Sequence, residues 1–176
     1  MTVVIRAGAE DDLTAVGELH FRSRLAAYSR FVPHDALTAM PPSAMVDYWV
    51  ERWRYERGDH QLTVAEADGA VVGFTYLGPD EEPDTGILNA IHVDPDLVGS
   101  GVGRVLMRDA LAKLSAGGWR RAVLWVLTAN TRARRFYERG GWAPDGVERE
   151  DHIGTAPVRH MRYVLPLPGD WPGEST

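Results

Sequence analysis

Residues 93–114, VDPDLVGSGVGRVLMRDALAKL, decide how the chain is to be read. The preceding residues 90–93 are extended, Asp94-Pro95 turns the chain, and the glycine-dense loop Gly99-Ser100-Gly101-Val102-Gly103 leads into a run of helical periodicity. Gly103, Leu106, Met107, Ala110, Leu111 and Leu114 recur at i, i+3, i+4, i+7, i+8 and i+11, one continuous apolar stripe of the kind that packs on a sheet. In front of it, the loop presents the N–H groups that a first helical turn leaves unpaired, at the positive end of the macrodipole. Glycines let a bulky anion approach those amides, so the expected guest is a phosphate or pyrophosphate. The dinucleotide pattern G-x-G-x-x-G fails from Gly99, because Arg104 stands where the third glycine is needed, and no Gly-Lys-Ser/Thr follows for a P-loop. The alternative is a helix-start loop whose glycines serve only tight packing.

A second stretch bears on that choice. Residues 121–127, RAVLWVL, read as a buried strand, followed by Thr128-Ala129-Asn130 and a short helix over residues 131–139 that Gly140-Gly141 stops. Asn130 suits an N-cap, and Asn130, Ala133 and Tyr137 fall on one helix face, polar at both ends and small between. A slender ligand fits such a face; taken singly, Phe136 and Tyr137 also read as core aromatics.

Together the two stretches resemble the GNAT superfamily of acyl-CoA-dependent N-acetyltransferases, which carries Q/R-x-x-G-x-G/A after a strand and later N-x-x-A-x-x-F/L-Y-x-x-x-G-F. The first motif reads Val98-Gly99-Ser100-Gly101-Val102-Gly103 here, and the second runs from Asn130 through Ala133, Phe136, Tyr137 and Gly141 to Trp142. The resemblance implies an α/β (α+β) single-domain fold over residues 1–165, a mixed central β-sheet flanked by helices on both faces, with a Pro-rich tail at 166–176. It implies acetyl-CoA as cosubstrate, bound by Ile91, His92 and Val93 on the strand, by Val98 through Arg104 in the loop and helix start, and by Asn130, Ala133 and Tyr137. The strand backbone at Ile91 and Val93 is expected to pair with the pantetheine arm, and the amide near Val93 to polarise the thioester carbonyl. The implied activity is an acyltransferase one: direct acetyl transfer to a primary amine of a small molecule or peptide through a tetrahedral intermediate, with Tyr137 as general acid to the CoA thiolate. A Tyr hydroxyl of ordinary pKa near ~10 stays protonated at neutral pH and can reprotonate a thiolate of about 8.5.

Two positions depart from the family pattern. Val98 replaces the Gln or Arg at the head of the loop, which removes a side chain but leaves the backbone amides. On the strand, where many relatives carry a Glu as general base, the nearby residues are Ile87, Asn89 and His92, so no base is assigned. That absence motivates another reading, a non-catalytic acyl-CoA-binding regulatory module; an enzyme using a longer acyl-CoA is a further one.

The rest of the chain bounds these readings. At 176 residues, 44% hydrophobic and 25% charged, it has the size and composition of one globular domain. No run approaches the ~20 apolar residues of a membrane span and no signal-peptide pattern opens the chain, so a cytoplasmic protein without a membrane partner is expected. Zero cysteines exclude disulfides, thiolate metal sites and a cysteine acyl-enzyme, and the net charge of −6 argues against nucleic acid as partner. No metal site is expected: His92 and Asp94, two apart, are too few ligands, and His34, His152 and His160 read as surface or structural residues or as the border of an acceptor pocket.

In chain order, residues 2–6 read as a first strand, Ala9-Glu10-Asp11-Asp12 as the acidic lead-in to a helix reaching about Tyr28, and Pro41-Pro42-Ser43 as the start of a second helix. This helical pair is rich in aromatics, Phe21, Tyr28, Phe31, Tyr48, Trp49, Trp53 and Tyr55, which read as core packing or as one wall of an acceptor pocket. Residues 61–67 and 70–77 flank Asp68-Gly69 as a β-hairpin, and residues 78–86 form a loop with four acidic residues, either simply solvated or drawing in a cationic amine. Residues 87–93 are the expected cofactor strand, and residues 147–153 and 158–165 the last pair. Relatives often dimerise, and the resemblance extends that possibility to a homodimer.

Overall fold

Three helices precede most of the sheet. In the computed structural model, which describes residues 1–169, β1 (Val4–Ala7) is followed by α1 (Leu13–Tyr28), α2 (His34–Thr38) and α3 (Pro42–Glu56). Then come β2 (Gln61–Ala67), β3 (Ala70–Pro79), β4 (Thr85–Val93), α4 (Val102–Ala116), β5 (Arg121–Leu127), α5 (Thr131–Arg139), β6 (Ala143–Ile153) and β7 (Ala156–Pro166). The sheet has seven strands in the order β1-β2-β3-β4-β5-β7-β6. All neighbours are antiparallel except β4 and β5, which run parallel with α4 as their crossover.

Both faces of the sheet are covered, as the resemblance implied. On one face, Leu13, Val16, Leu19, Met45 and Trp49 of α1 and α3 pack on Leu62, Val64, Phe74 and Tyr76. On the other, the apolar stripe of α4 is divided between two clusters: Val102 and Leu106 meet Ala65, Ala67 and Val72, while Met107, Ala110 and Leu114 meet Leu77, Leu88, Ala122 and Leu124. Gly73 sits where α4 crosses β3 most closely, since a Cβ there would stand 2.8 Å from Leu106 Cδ1. The acidic lead-in has a specific use. Asp12 accepts from the Ala9 N–H at 2.8 Å and from both terminal nitrogens of the Arg6 guanidinium at 2.8 Å, clamping the entry of α1 to β1.

Several boundaries differ from the sequence reading. The first strand lies two residues further on, and the five-residue α2 has no counterpart there, being too short for periodicity to register. Gly78 and Pro79 prolong β3, and Thr85 and Gly86 begin β4, leaving only residues 80–84 as the acidic loop. The last strand takes in Pro166, and Leu167 is buried with its N–H on Arg120 O at 2.9 Å, so the first two tail residues belong to the packed body. The tail from residue 170 lies outside the described residues. Among the described residues, no helix is long and apolar enough to cross a membrane.

α5 is tied to the sheet by one fully buried phenol. Tyr163 of β7 donates to Glu138 Oε1 at 2.7 Å and accepts from Arg134 Nε at 3.3 Å, and Arg134 also reaches Thr128 O at 3.1 Å. Tyr163→Phe removes a hydroxyl bonded to two charged groups, one of them exposed, and is expected to cost about 1 to 2 kcal/mol, lowering Tm by roughly 2 to 8 °C. Calorimetry checks this; an unchanged Tm means that α5 is held by its apolar contacts alone.

Candidate active site

β4 and β5 stay paired for only three residues, Thr85–Arg121, Gly86–Ala122 and Ile87–Val123, and then diverge. β4 also carries one residue more than β3 between Leu88 and Ala90, a bulge at Asn89. The ladder past the bulge shows where the β4 backbone points. The Asp94 N–H donates to Val72 O at 2.8 Å, so in the antiparallel register His92 bonds Phe74, whereas Ile91 opposite Thr75 and Val93 opposite Gly73 are non-bonded pairs. Ile91 and Val93 therefore turn their N–H and C=O away from β3, into the gap that β5 leaves open. A row of unpaired strand groups facing such a gap is a template for an added extended ligand.

At the end of the gap lies the glycine loop. Gly99 and Gly101 hold φ of +93° and +102°, values that favour glycine, and Gly101 is the N-cap of α4. Ser100 spends both its N–H (3.1 Å) and its Oγ–H (2.6 Å) on Leu97 O, and the Val98 N–H turns back to Pro95 O at 3.4 Å. Of the six loop residues expected to bind a cosubstrate, Val98 and Ser100 thus have their amides engaged within the loop. Gly99 and Gly101 make no such bond among the described residues, and Val102 and Gly103 stand in the first turn, where no intrahelical acceptor exists. Arg104 folds back over the loop, its Nη2 3.5 Å from where a Gly101 Cβ would be. Four free N–H groups, a macrodipole and a guanidinium suit a pyrophosphate.

α5 closes the far side. Asn130 caps it, Oδ1 accepting from the Ala133 N–H at 3.2 Å. Phe136 packs near Gly103, and the Tyr137 ring lies 5.6 Å from that of Phe136 and 6.2 Å from that of Tyr163. Burial pushes the Tyr137 hydroxyl pKa up, and the neighbouring Tyr28 adds to that, so the phenol keeps its proton throughout the neutral range.

The opposite face of the sheet holds a cavity of about 530 Å³, the size of a small-molecule site. Its walls come from three sources: Tyr28, Tyr48 and Trp49 of α1 and α3, the β4 bulge with Asn89 and His92, and Trp125, Arg149 and Arg162 from the C-terminal strands. The aromatic helices thus divide, with Tyr28, Tyr48 and Trp49 facing the cavity, Phe21 and Trp53 packing into the core, and Tyr55 exposed. His92 lines this cavity: its backbone is committed to β3, its Nδ1 lies 3.0 Å from Ser23 Oγ, and its ring lies 4.2 Å from that of His20. Trp49 Nε1 donates to His20 Nδ1 at 3.0 Å, which fixes that ring's tautomer. Burial lowers the His20 pKa well below its ordinary value, with His92 and Arg24 adding to the effect; burial and Arg24 bring His92 to about 4.

The acidic loop behaves differently from a free anionic patch. Glu82 pairs with both Arg121 and Arg162, and Arg162 pairs in turn with Asp145 at 2.7 Å. These contacts lower the Glu82 pKa, the Arg162 hydrogen bond foremost, and neutralise its charge toward any guest. Residues remote in sequence supply this network and the His20–His92 pair, and no periodicity pointed to either. Among the described residues, no group of three or more His, Cys, Asp or Glu is placed to hold a metal ion.

Comparison with known proteins bears on what this arrangement is. Residues 28–142 match the model of the acetyltransferase (GNAT) family. An uncharacterized N-acetyltransferase of Methanocaldococcus jannaschii is 28% identical over 80% of this chain and 61% of its own length. The phosphinothricin N-acetyltransferase of Alcaligenes faecalis is 25% identical over 81% of this chain and 71% of its own. In three dimensions the chain resembles the PaiA N-acetyltransferase of Thermoplasma acidophilum, solved in complex with coenzyme A, with a TM-score of 0.73 at 18% identity over 92% of this chain and 98% of that one. At that identity the likeness concerns the fold.

The buried histidines make stability depend on pH. Both titrate lower in the folded state than the ordinary value of 6.5, so the unfolded chain takes up protons first as pH falls. Stability is complete above pH 6.5 and declines toward pH 4, by about 1.4 kcal/mol per pH unit for each ring charged only when unfolded. Denaturant titrations at pH 7, 6 and 5 should show that decline, and His92→Gln should make it shallower; an identical slope in the variant means that His92 is protonated in the folded protein.

Proposed function

From the premise that the chain belongs to the acetyltransferase (GNAT) family, we propose that it is an N-acetyltransferase that moves the acetyl group of acetyl-CoA directly onto the primary amine of a small molecule or peptide. The observation that carries this reading is the open gap between β4 and β5, with Ile91 and Val93 facing into it and the free amides of Gly99, Gly101, Val102 and Gly103 at its end. The strand edge suits an amide-bearing arm and the loop a pyrophosphate, the two chemical features of coenzyme A. NAD and ATP carry phosphates but no such arm.

The chain's own groups account for each requirement of the transfer. The amine arrives from the cavity on the other face and meets the thioester at the β4 bulge. The ammonium gives one proton to water in the cavity and the neutral amine adds to the carbonyl carbon, forming the C–N bond of a tetrahedral intermediate. That nitrogen sheds its second proton to water as the carbonyl re-forms and the C–S bond breaks, and the thiolate takes the Tyr137 proton, which solvent then replaces. Negative charge on the acyl oxygen faces the Val93 N–H, a fixed donor worth a few kcal/mol in comparable acyl transfers. Tyr137 suits the acid role because burial keeps its proton in place. His92, neutral near pH 7, adds no positive charge of its own to the cavity.

Thermal-shift measurements with acetyl-CoA, CoA, NAD and ATP come first. At about 100 times Kd one site adds about 2.7 kcal/mol, roughly 5 to 11 °C here, and only the CoA species should give it; a shift from NAD or ATP instead removes the reading. Tyr137→Phe should lower kcat by about 10²-fold with CoA affinity within about twofold of wild type. In wild type, kcat/KM should rise with pH as the amine loses its proton and show no descending limb below about pH 10. Unchanged turnover in the variant, with chemistry rate-limiting, takes Tyr137 out of the mechanism.

A further inference from the structure

The cavity on the α1–α3 face carries three guanidinium groups, and two of them are already occupied. Arg162 is held between Glu82 and Asp145. Arg52 pairs with Glu56 at 2.8 Å and donates to Tyr48 Oη at 2.9 Å. Arg149 is different. It starts from β6, an edge strand, reaches inward past β7, and sets its guanidinium carbon over the indole of Trp125 on β5, 4.2 Å from the ring centre. Among the described residues no carboxylate pairs with it; the acidic neighbours on its strand, Glu148 and Glu150, are taken by Arg159. A guanidinium stacked on an aromatic face keeps its N–H edge free and preorganised for a planar or tetrahedral oxyanion.

Beside it stands a second unmet group. His160 is Arg149's partner in the β6–β7 register, lines the same cavity, and has a buried Nδ1 with no hydrogen-bond partner. A buried polar atom left alone is costly unless a guest satisfies it. Trp125, beneath the guanidinium, lies on the strand that borders the open gap.

Resting on the acetyltransferase reading, we propose that the acceptor is an amine of the amino-acid type, whose carboxylate or equivalent oxyanion is gripped by Arg149 on its Trp125 platform and by His160, while its amino group faces the β4 bulge. This differs from the sequence expectation of a cationic amine steered by the acidic loop. The change comes from the folded positions of Arg149 and Glu82, the first bringing a free cation into the cavity and the second losing its charge to two arginines.

The test uses the full chain with acetyl-CoA, the L-amino acids, and each one's primary amide, which keeps the amine and removes the negative charge. Thiol release and thermal shift of the CoA complex are read in parallel. Expected is a preference of at least ~10-fold in kcat/KM for one or more carboxylates over the matching amide. In Arg149→Gln that preference should collapse through a ~10- to 100-fold rise in KM with kcat moved far less, and Arg149→Lys should recover part of it. Arg159→Gln, on the same hairpin, should change neither. Amides or simple cationic amines acetylated as well as the carboxylates overturn the proposal and leave the acetyltransferase standing. Should no transfer occur at all, the acetyltransferase reading fails, and the shift decides this one: stabilisation by carboxylates and not amides, lost in Arg149→Gln, upholds the site, and its absence removes it.

Discussion

The parting of β4 from β5 after three paired residues is the constraint on which the rest depends. A sheet interior normally leaves no backbone group unsatisfied, and a gap in its middle is tolerated only where something else meets the exposed N–H and C=O groups. The bulge at Asn89 re-aims β4 just where it leaves its partner, and β7 keeps β5 in place by pairing along its whole length. The glycine loop and α5 then stand at the two ends of one opening, and the α1–α3 cavity meets it from behind. Two ligands approaching from opposite faces of one sheet can meet only where that sheet is open.

Charge is arranged around this opening with an economy that net charge does not reveal. The chain is acidic overall, yet the loop end of the gap is electropositive through free amides and Arg104, and the cavity holds neutral imidazoles. Glu82 acts as a bracket, joining the loop before β4 to β5 through Arg121 and to β7 through Arg162.

Features that repeat along the chain were legible in the sequence. The stripe from Gly103 to Leu114 placed α4 on the sheet, Asn130 capped α5 as expected, and the glycines at 99 and 101 adopt the conformation that only glycine takes cheaply. Features made by residues far apart were not. The Asn89 bulge is a relation between two strands, the His20–His92 contact joins positions 72 residues apart, and Arg149 meets Trp125 only because β7 inserts between their strands. His92 was the instructive case: on the strand between Ile91 and Val93, its backbone pairs with β3 and its ring lines the cavity, a placement that follows from the register.

The three-pair seam also divides the molecule mechanically. On one side lie the antiparallel strands β1 to β4, complete within residues 4–93; on the other lie β5, β7 and β6, whose central strand follows the other two in the chain. Within the first half, β2, β3 and β4 pair between sequence neighbours while β1 returns to β2 across three helices, and the seam joins the two halves with few hydrogen bonds. In the finished protein that seam is the line of easiest opening, so amide exchange should be graded outward from two protected half-sheets toward a labile middle. A ligand lying in the gap would rivet the halves together, coupling occupancy of the site to the rigidity of the whole sheet.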